Sequence, residues 1–172
     1  MIAMARTGRA ALTAALTVGV LVLAGSAPAG AETVSRSDAR GDAPARIDVT
    51  RATYTHSDDH VSVVARIPRL GRQGTAALSI SRFEIFEAGY VVEVVKRAGQ
   101  PARAKLLYYN HFDLLPRSCD DVTGSWGHHR VTLSVARSCL TGHARDRVFT
   151  QFGIQSGSDV DRAPAVKRLR RS

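Results

Sequence analysis

The chain has 172 residues and a formal net charge of +9, and 44% of its residues are hydrophobic. This length fits one domain with one core and argues against a multidomain protein. Lysine occurs only at Lys96, Lys105 and Lys167 among the 24 basic residues, and the arginines are spread along the chain. Such a bias, together with abundant alanine, glycine and valine, is typical of a GC-rich genome, so we expect no nucleic-acid partner.

The first 31 residues have the pattern of an export signal. Arg6 and Arg9 form a basic start, Ala10–Ala24 is apolar, and Ala29-Gly30-Ala31 matches the small-residue cleavage pattern. The apolar stretch is short for a membrane span, and the alternative is an uncleaved anchor. We predict a signal peptide at 1–31, a secreted, extracellular protein, and no membrane span after cleavage.

The next segment, residues 32–44, is polar and has no hydrophobic period, which predicts a flexible lead-in. It contains Asp38, Gly41 and Asp42, and Asp48 follows closely. Carboxylates at this spacing around a glycine can wrap a calcium ion, since Ca²⁺ takes several oxygen ligands. The EF-hand pattern is not met, and the alternative is a solvated Asx turn. Asp38, Asp42 and Asp48 are therefore the candidate metal ligands, with calcium as the candidate cofactor.

Residues 45–157 read as short strands separated by turn residues. Alternating or β-branched runs occur at Arg46–Thr55, Val61–Ile67, Ala76–Phe86, Tyr90–Arg97, Lys105–His111, Phe112–Leu115 and Arg147–Ile154. The apolar phase slips between Ile80 and Phe83, which indicates a bulge, although Ser81–Lys96 could also form a helix face. With the strand described next, about eight strands predict an all-β antiparallel sandwich of jelly-roll type.

The stretch Cys119–Leu140 contains both cysteines, the only tryptophan and the clearest strand pattern. Val131, Leu133 and Val135 alternate with polar residues, as in a half-buried strand. In an exported protein, two cysteines predict a structural disulfide, here Cys119–Cys139, whereas free or catalytic thiols are the alternative. The bridge would stabilise the domain by about 3 kcal/mol on the chain-entropy model.

Aromatic residues supply the candidate ligand-binding side chains. Trp126, Tyr108 and Tyr109 could form a platform on which sugar rings stack. Core or edge positions are the alternative for all three residues.

The histidines suggest metal or catalytic chemistry only if loops bring them together. A zinc site would need His56, His60, His111 or His143 from separate loops, and surface histidines are the alternative. The sequence contains no G-x-S-x-G elbow, so we assign no catalytic residue. The alternative function is a small secreted hydrolase or metal-dependent enzyme that uses loop residues such as His111, Asp113 and His128.

Three short motifs carry a resemblance. Asp38 with Gly41 and Asp42, the strand start Ile47 to Ala52, and the late Cys139-Leu140 resemble a group of small secreted actinobacterial proteins. The resemblance implies an exported β-rich domain and carries over no catalytic residue.

The remaining residues, 158–172, end in the cluster Lys167-Arg168-Leu169-Arg170-Arg171 and predict a basic C-terminal tail. We expect a monomer that acts by binding or in a structural role rather than by catalysis. Candidate ligands are an extracellular polysaccharide, the cell wall or another exported protein. A histidine and a carboxylate within hydrogen-bond reach in a cleft would favour the enzyme, and a flat aromatic face would favour glycan binding.

Overall fold

The computed structural model describes residues 31–82, 87–142 and 147–171, so nearly all of the predicted signal peptide lies outside the described residues. The described chain is all-β, with no α-helix and one 3₁₀ turn at Arg137–Cys139. No described helix is long and apolar enough to cross a membrane. The strands in chain order are β1 Glu32–Ser37, β2 Arg51–His56, β3 His60–Arg66, β4 Gly74–Ser81, β5 Ala88–Lys96, β6 Arg103–Asn110, β7 Asp113–Arg117, β8 Val122–Trp126, β9 Arg130–Ala136, β10 Arg147–Ser156, β11 Asp159–Arg162 and β12 Val166–Arg170.

The strands form two antiparallel sheets that pack as a β-sandwich. The five-stranded sheet has the order β1-β2-β3-β9-β8. The other sheet has the order β11-β10-β4-β5-β6-β7. β12 pairs with the first half of β10 while β11 pairs with its second half, so two short strands share one edge. The predicted all-β antiparallel sandwich is therefore confirmed.

The core lies between the sheets and follows the alternation visible in the sequence. Every second residue of β2, β3 and β9 is buried, and in β9 these are Val131, Leu133 and Val135. The seven-stranded sheet contributes residues such as Leu78 and Phe152, which are fully buried. Because side chains of a strand alternate between its faces, the polar half of each of these three strands points to solvent.

The described residues form twelve strands rather than about eight, and the difference lies mainly at the two ends of the domain. The stretch predicted as a flexible lead-in includes β1, which pairs with β2 from Glu32↔His56 to Ser37↔Arg51. The stretch predicted as a tail includes β11 and β12, both paired with β10. A polar edge strand is ordered by backbone hydrogen bonds to its neighbour. Because it needs few buried side chains of its own, its sequence shows little hydrophobic alternation.

The Cys119–Cys139 disulfide is confirmed, with a Cα–Cα distance of 5.8 Å. It links the approach to β8 to the turn that follows β9. Gly124 lies within β8, where an added Cβ would be 2.9 Å from a Val94 methyl. This glycine lets β8 pack closely onto the opposite sheet. The bulge was predicted between Ile80 and Phe83; β4 ends at Ser81, and Phe83 lies outside the described residues.

Candidate functional site

Three aspartates from distant parts of the chain converge at one end of the sandwich. Asp42 and Asp48 come from the loop between β1 and β2, and Asp161 comes from β11. One carboxylate oxygen of each lies within 4.8 Å of the others. The structure thus brings together two of the three predicted metal ligands. Asp161 was not predicted as a ligand, because nothing local in its sequence relates it to a loop more than a hundred residues earlier.

Backbone amides hold these carboxylates in place. Asp161 is only 6% exposed, and its Oδ2 accepts a hydrogen bond from the amide of Val49 at 2.7 Å. Its Oδ1 accepts one from the amide of Arg162 at 2.7 Å. Both oxygens of Asp48 lie 3.1 Å from the amide of Gly41, which has a φ of 80°. A glycine adopts this left-handed conformation without strain, so the loop can turn its amide towards Asp48.

Asp38, the third predicted ligand, lies beside this cluster. Its Oδ1 accepts a hydrogen bond from the amide of Ala39 at 3.0 Å, whereas its Oδ2 is buried and has no hydrogen-bond partner. Burial raises the pKa of Asp38, and the negative charges of Asp161, Asp42 and Asp48 raise it further. Burial likewise raises the pKa of Asp161, with Asp42 and Asp48 adding to the shift.

Within the described residues, none of these four aspartates forms an ion pair with a basic side chain. The cluster therefore concentrates negative charge that no ion pair of the described residues neutralises. Asp carboxylates are ligands that Ca²⁺ accepts, and backbone oxygens or waters can complete its coordination. The donor set therefore fits a hard divalent cation.

A row of arginines crosses the outer face of the five-stranded sheet. Arg51 on β2 is the direct cross-strand partner of Arg66 on β3, and Arg66 is the partner of Arg130 on β9. All three are exposed. None forms a side-chain hydrogen bond or ion pair within the described part of the chain. Like charges directly opposite each other destabilise a sheet, so the row is unfavourable on its own.

The arginine row continues into a groove of about 630 Å³. Arg40 and Arg69 line this groove together with Arg51 and Arg66. Asp48 lies in the same groove, which therefore adjoins the acidic cluster. In the sequence these arginines are dispersed, and the spacing between them gives no sign that strand pairing aligns them.

The rest of this outer face carries hydroxyl groups. Beside the arginine row, strand pairing aligns Ser35, Thr53, Val64, Thr132 and Ser125. The next row contains Thr33, Thr55, Ser62, Ser134 and Thr123. Two cross-strand hydroxyl pairs are within hydrogen-bond distance, Thr33–Thr55 at 3.1 Å and Ser35–Thr53 at 3.0 Å. We call these two rows the hydroxyl face.

Of the predicted aromatic residues, Trp126 and Tyr108 pack against the core, Tyr109 does not, and the three do not form one platform. Trp126 is half-buried, and its Nε1 donates to the carbonyl of Gly71 at 2.8 Å. Tyr108 contacts Tyr90 edge-to-face, with ring centroids 5.3 Å apart. Tyr109 is next to Tyr108 on β6 and therefore faces the opposite side of the sheet. Burial raises the pKa of Tyr109 to about 12, and a hydrogen bond with Ser81 acts in the opposite direction.

The histidines do not form a metal cluster within the described residues. His56 is fully buried, with Nδ1 3.3 Å from the carbonyl oxygen of Leu169. His111 and His128 are exposed at separate turns, and His143 lies outside the described residues. A histidine–carboxylate contact occurs elsewhere, between His60 Nε2 and Asp121 Oδ2 at 3.0 Å.

The His60–Asp121 pair opens into a pocket of about 570 Å³ that Arg137 and Ser138 also line. The side chains of His60 and Asp121 are 39% and 57% exposed. Such a pair has the chemistry of a general base with its orienting carboxylate, and also that of an ordinary surface ion pair.

No protein-family model, no curated protein and no solved structure matches this chain.

Proposed function

We propose that the protein is an exported binding domain, without catalysis of its own, that holds an anionic extracellular polymer on the outer face of its five-stranded sheet. The observation that carries the proposal is the arginine row of Arg51, Arg66 and Arg130, aligned by strand pairing and without acidic partners among the described residues. The guanidinium group binds carboxylate and phosphate in a bidentate manner. A chain of anionic groups would relieve the repulsion within the row.

Export is part of this proposal. The Cys119–Cys139 bridge supports it, because structural disulfides persist in oxidising compartments. The basic start, apolar stretch and small-residue cleavage pattern at residues 1–31 support it independently.

The test is affinity for poly-L-glutamate, a polymer of simple carboxylates, measured on the secreted protein by isothermal titration calorimetry. The triple variant Arg51→Gln, Arg66→Gln and Arg130→Gln should lower this affinity at least about tenfold, since a hydrogen bond to a charged group contributes about 1.5–3 kcal/mol. The dependence of affinity on salt should become shallower in the same variant, because fewer ions are exchanged on binding.

A matched control separates the arginine row from net charge. The triple variant Arg97→Gln, Arg103→Gln and Arg168→Gln removes the same charge from exposed positions outside the five-stranded sheet. It should change the affinity less than about twofold, because long-range charge is screened within about 10 Å at moderate salt. Equal losses in the two triple variants, or no binding by the unmodified protein, would contradict the proposal.

We further propose that Asp42, Asp48 and Asp161, with Asp38 beside them, hold a calcium ion in a structural role. The buried, unpartnered Oδ2 of Asp38 supports this site, because an orphaned carboxylate oxygen costs free energy that a cation would offset. The ion would join the β1–β2 loop to β11, and so fix one wall of the arginine groove.

A second candidate function, a small secreted hydrolase, is supported by the His60–Asp121 contact in a pocket shared with Ser138. In this alternative His60 would act as general base towards Ser138, with Asp121 orienting its ring. The test is labelling with a fluorophosphonate probe followed by peptide mapping. Labelling of Ser138 that disappears in His60→Ala would support the hydrolase, and an unlabelled Ser138 would exclude this mechanism.

A further inference from the structure

We infer that the polymer recognised by the outer face is an acidic polysaccharide, whose charged groups contact the arginine row while its hydroxyl groups contact the hydroxyl face. The inference rests on the proposed function and names the ligand class of the same surface. It comes from the composition of the rows next to the arginines, which are almost entirely serine and threonine.

The hydroxyl face matches the hydrogen-bonding groups of a sugar chain. A serine or threonine hydroxyl both donates and accepts, as a sugar hydroxyl does. Within a strand, outward-facing residues such as Thr132 and Ser134 lie about 7 Å apart, and neighbouring strands are about 5 Å apart. The face therefore offers a regular array of donors and acceptors. A polyanion without hydroxyl groups could use the arginines but would gain nothing from this array.

The outer face of the five-stranded sheet has few apolar anchors. Among the described residues, Val64 is the one large hydrophobic side chain of the five-stranded sheet that is exposed, at 41%. Protein interfaces depend on a buried apolar or aromatic centre, and membrane surfaces attract apolar side chains as well as basic ones. A flat face of hydroxyls and arginines with a single valine lacks both features, and it complements an anionic, hydroxylated chain.

The two hydroxyl rows offer no aromatic ring on which a sugar could stack. The outward residues of the two hydroxyl rows include no aromatic ring, and Trp126 is engaged with the carbonyl of Gly71. Selectivity between a sugar polymer and another polyanion therefore has to come from the hydroxyl groups. That makes the inference testable by removing hydroxyls while keeping side-chain volume.

The experiment compares polygalacturonate with poly-L-glutamate of similar length, using the full secreted protein and isothermal titration calorimetry. Both polymers carry one carboxylate per unit, but only polygalacturonate carries sugar hydroxyls. We expect the unmodified protein to bind polygalacturonate at least about tenfold more tightly, because a few additional hydrogen bonds contribute roughly 1 kcal/mol each.

The variant Thr132→Val with Ser134→Ala removes two adjacent hydroxyls from β9. It should reduce the affinity for polygalacturonate several-fold and leave the affinity for poly-L-glutamate unchanged. The control Thr75→Val with Ser79→Ala makes the same changes on β4, where the residues are also half-buried, and should change neither affinity. A thermal melt of each variant shows whether the fold is retained.

The outcomes separate the two proposals. If both polymers bind with equal affinity, and the triple arginine variant binds both more weakly, the polysaccharide inference is overturned and the proposed function stands. Selective binding of polygalacturonate that survives removal of the β9 hydroxyls would overturn the assignment to the hydroxyl face. Absence of binding to either polymer would overturn both proposals.

Discussion

The buried carboxylate of Asp161 accepts a hydrogen bond from the amide of Val49, with an oxygen–nitrogen distance of 2.7 Å across 112 residues of sequence. This contact attaches β11 to the loop that carries Asp48, so the acidic cluster exists only when both ends of the domain are in place. The geometry of the cluster and the stability of the domain are therefore linked, and several measurable consequences arise from that link.

Calcium should stabilise the protein through Asp42. This side chain is exposed and forms no hydrogen bond in the described structure, so Asp42→Asn removes a candidate ligand without breaking a contact. At a calcium concentration about a hundred times the dissociation constant, the unmodified protein should gain about 2.7 kcal/mol. The variant should gain much less, as measured by differential scanning calorimetry with and without calcium.

Asp120→Asn is the matched control, since Asp120 is an exposed aspartate that is not part of the cluster. Its calcium-dependent shift in Tm should equal that of the unmodified protein. An unmodified protein whose Tm does not respond to calcium would contradict the site.

Without divalent cations, the cluster should make stability decrease as the pH rises. The pKa values of Asp38 and Asp161 are raised above 3.8, first by burial and then by neighbouring carboxylates. Between pH 3.8 and the raised pKa values of Asp38 and Asp161, the folded protein therefore binds more protons than the unfolded chain. These two carboxyl groups contribute their full stabilisation below pH 3.8. This contribution is lost as the pH rises through their raised pKa values.

Urea unfolding between about pH 3 and pH 7, in the presence of a chelator, measures this effect. Asp38→Asn should show a weaker loss of stability with rising pH than the unmodified protein, because it removes one of the two shifted groups. Calcium should oppose the loss at neutral pH. An Asp38→Asn variant with the same pH dependence as the unmodified protein would show that Asp38 does not contribute to it.

Removing the disulfide should destabilise the domain without changing the arginine row. The bridge closes a loop with a sequence separation of 20, so replacing Cys119 and Cys139 by serine should lower the free energy of unfolding by about 3 kcal/mol on the chain-entropy model. Urea denaturation of both forms measures the difference. A reducing agent should destabilise the unmodified protein and leave the double variant unaffected.

Tyr54 joins the two sheets, and its hydroxyl should be important for stability. The hydroxyl accepts a hydrogen bond from the amide of Phe152 at 3.1 Å and donates one to the carbonyl of Pro164 at 3.2 Å. Burial raises the pKa of Tyr54 to about 12. Tyr54→Phe leaves the buried amide without this partner, and should cost about 1–3 kcal/mol in urea denaturation.

Tyr90→Phe is the comparison for Tyr54→Phe. The hydroxyl of Tyr90 contacts Thr141, which is exposed, so water can replace the lost partner there. The loss of stability should therefore be smaller than for Tyr54→Phe. Equal losses of unfolding free energy in the two variants would show that burial of the Phe152 amide does not determine the loss of stability.

Several features of this protein are determined by local sequence. Alternation such as Val131, Leu133 and Val135 predicts strands, because a half-buried strand has a period of two residues. The bridge between Cys119 and Cys139 was predictable because only two cysteines are present. The spacing of Asp42 and Asp48 around a turn was sufficient to predict that they lie close together.

The acidic cluster, the arginine row and the edge strands were determined by the tertiary structure alone. Asp161 joins the cluster because β11 pairs with β10, and Arg51, Arg66 and Arg130 align because of strand register. A slip of one residue would turn any of these arginines to the opposite face of the sheet. The edge strands β1 and β12 likewise gain their order from pairing with neighbours. Strand register and long-range strand pairing depend on packing of the whole core, so no single stretch of the sequence determines them.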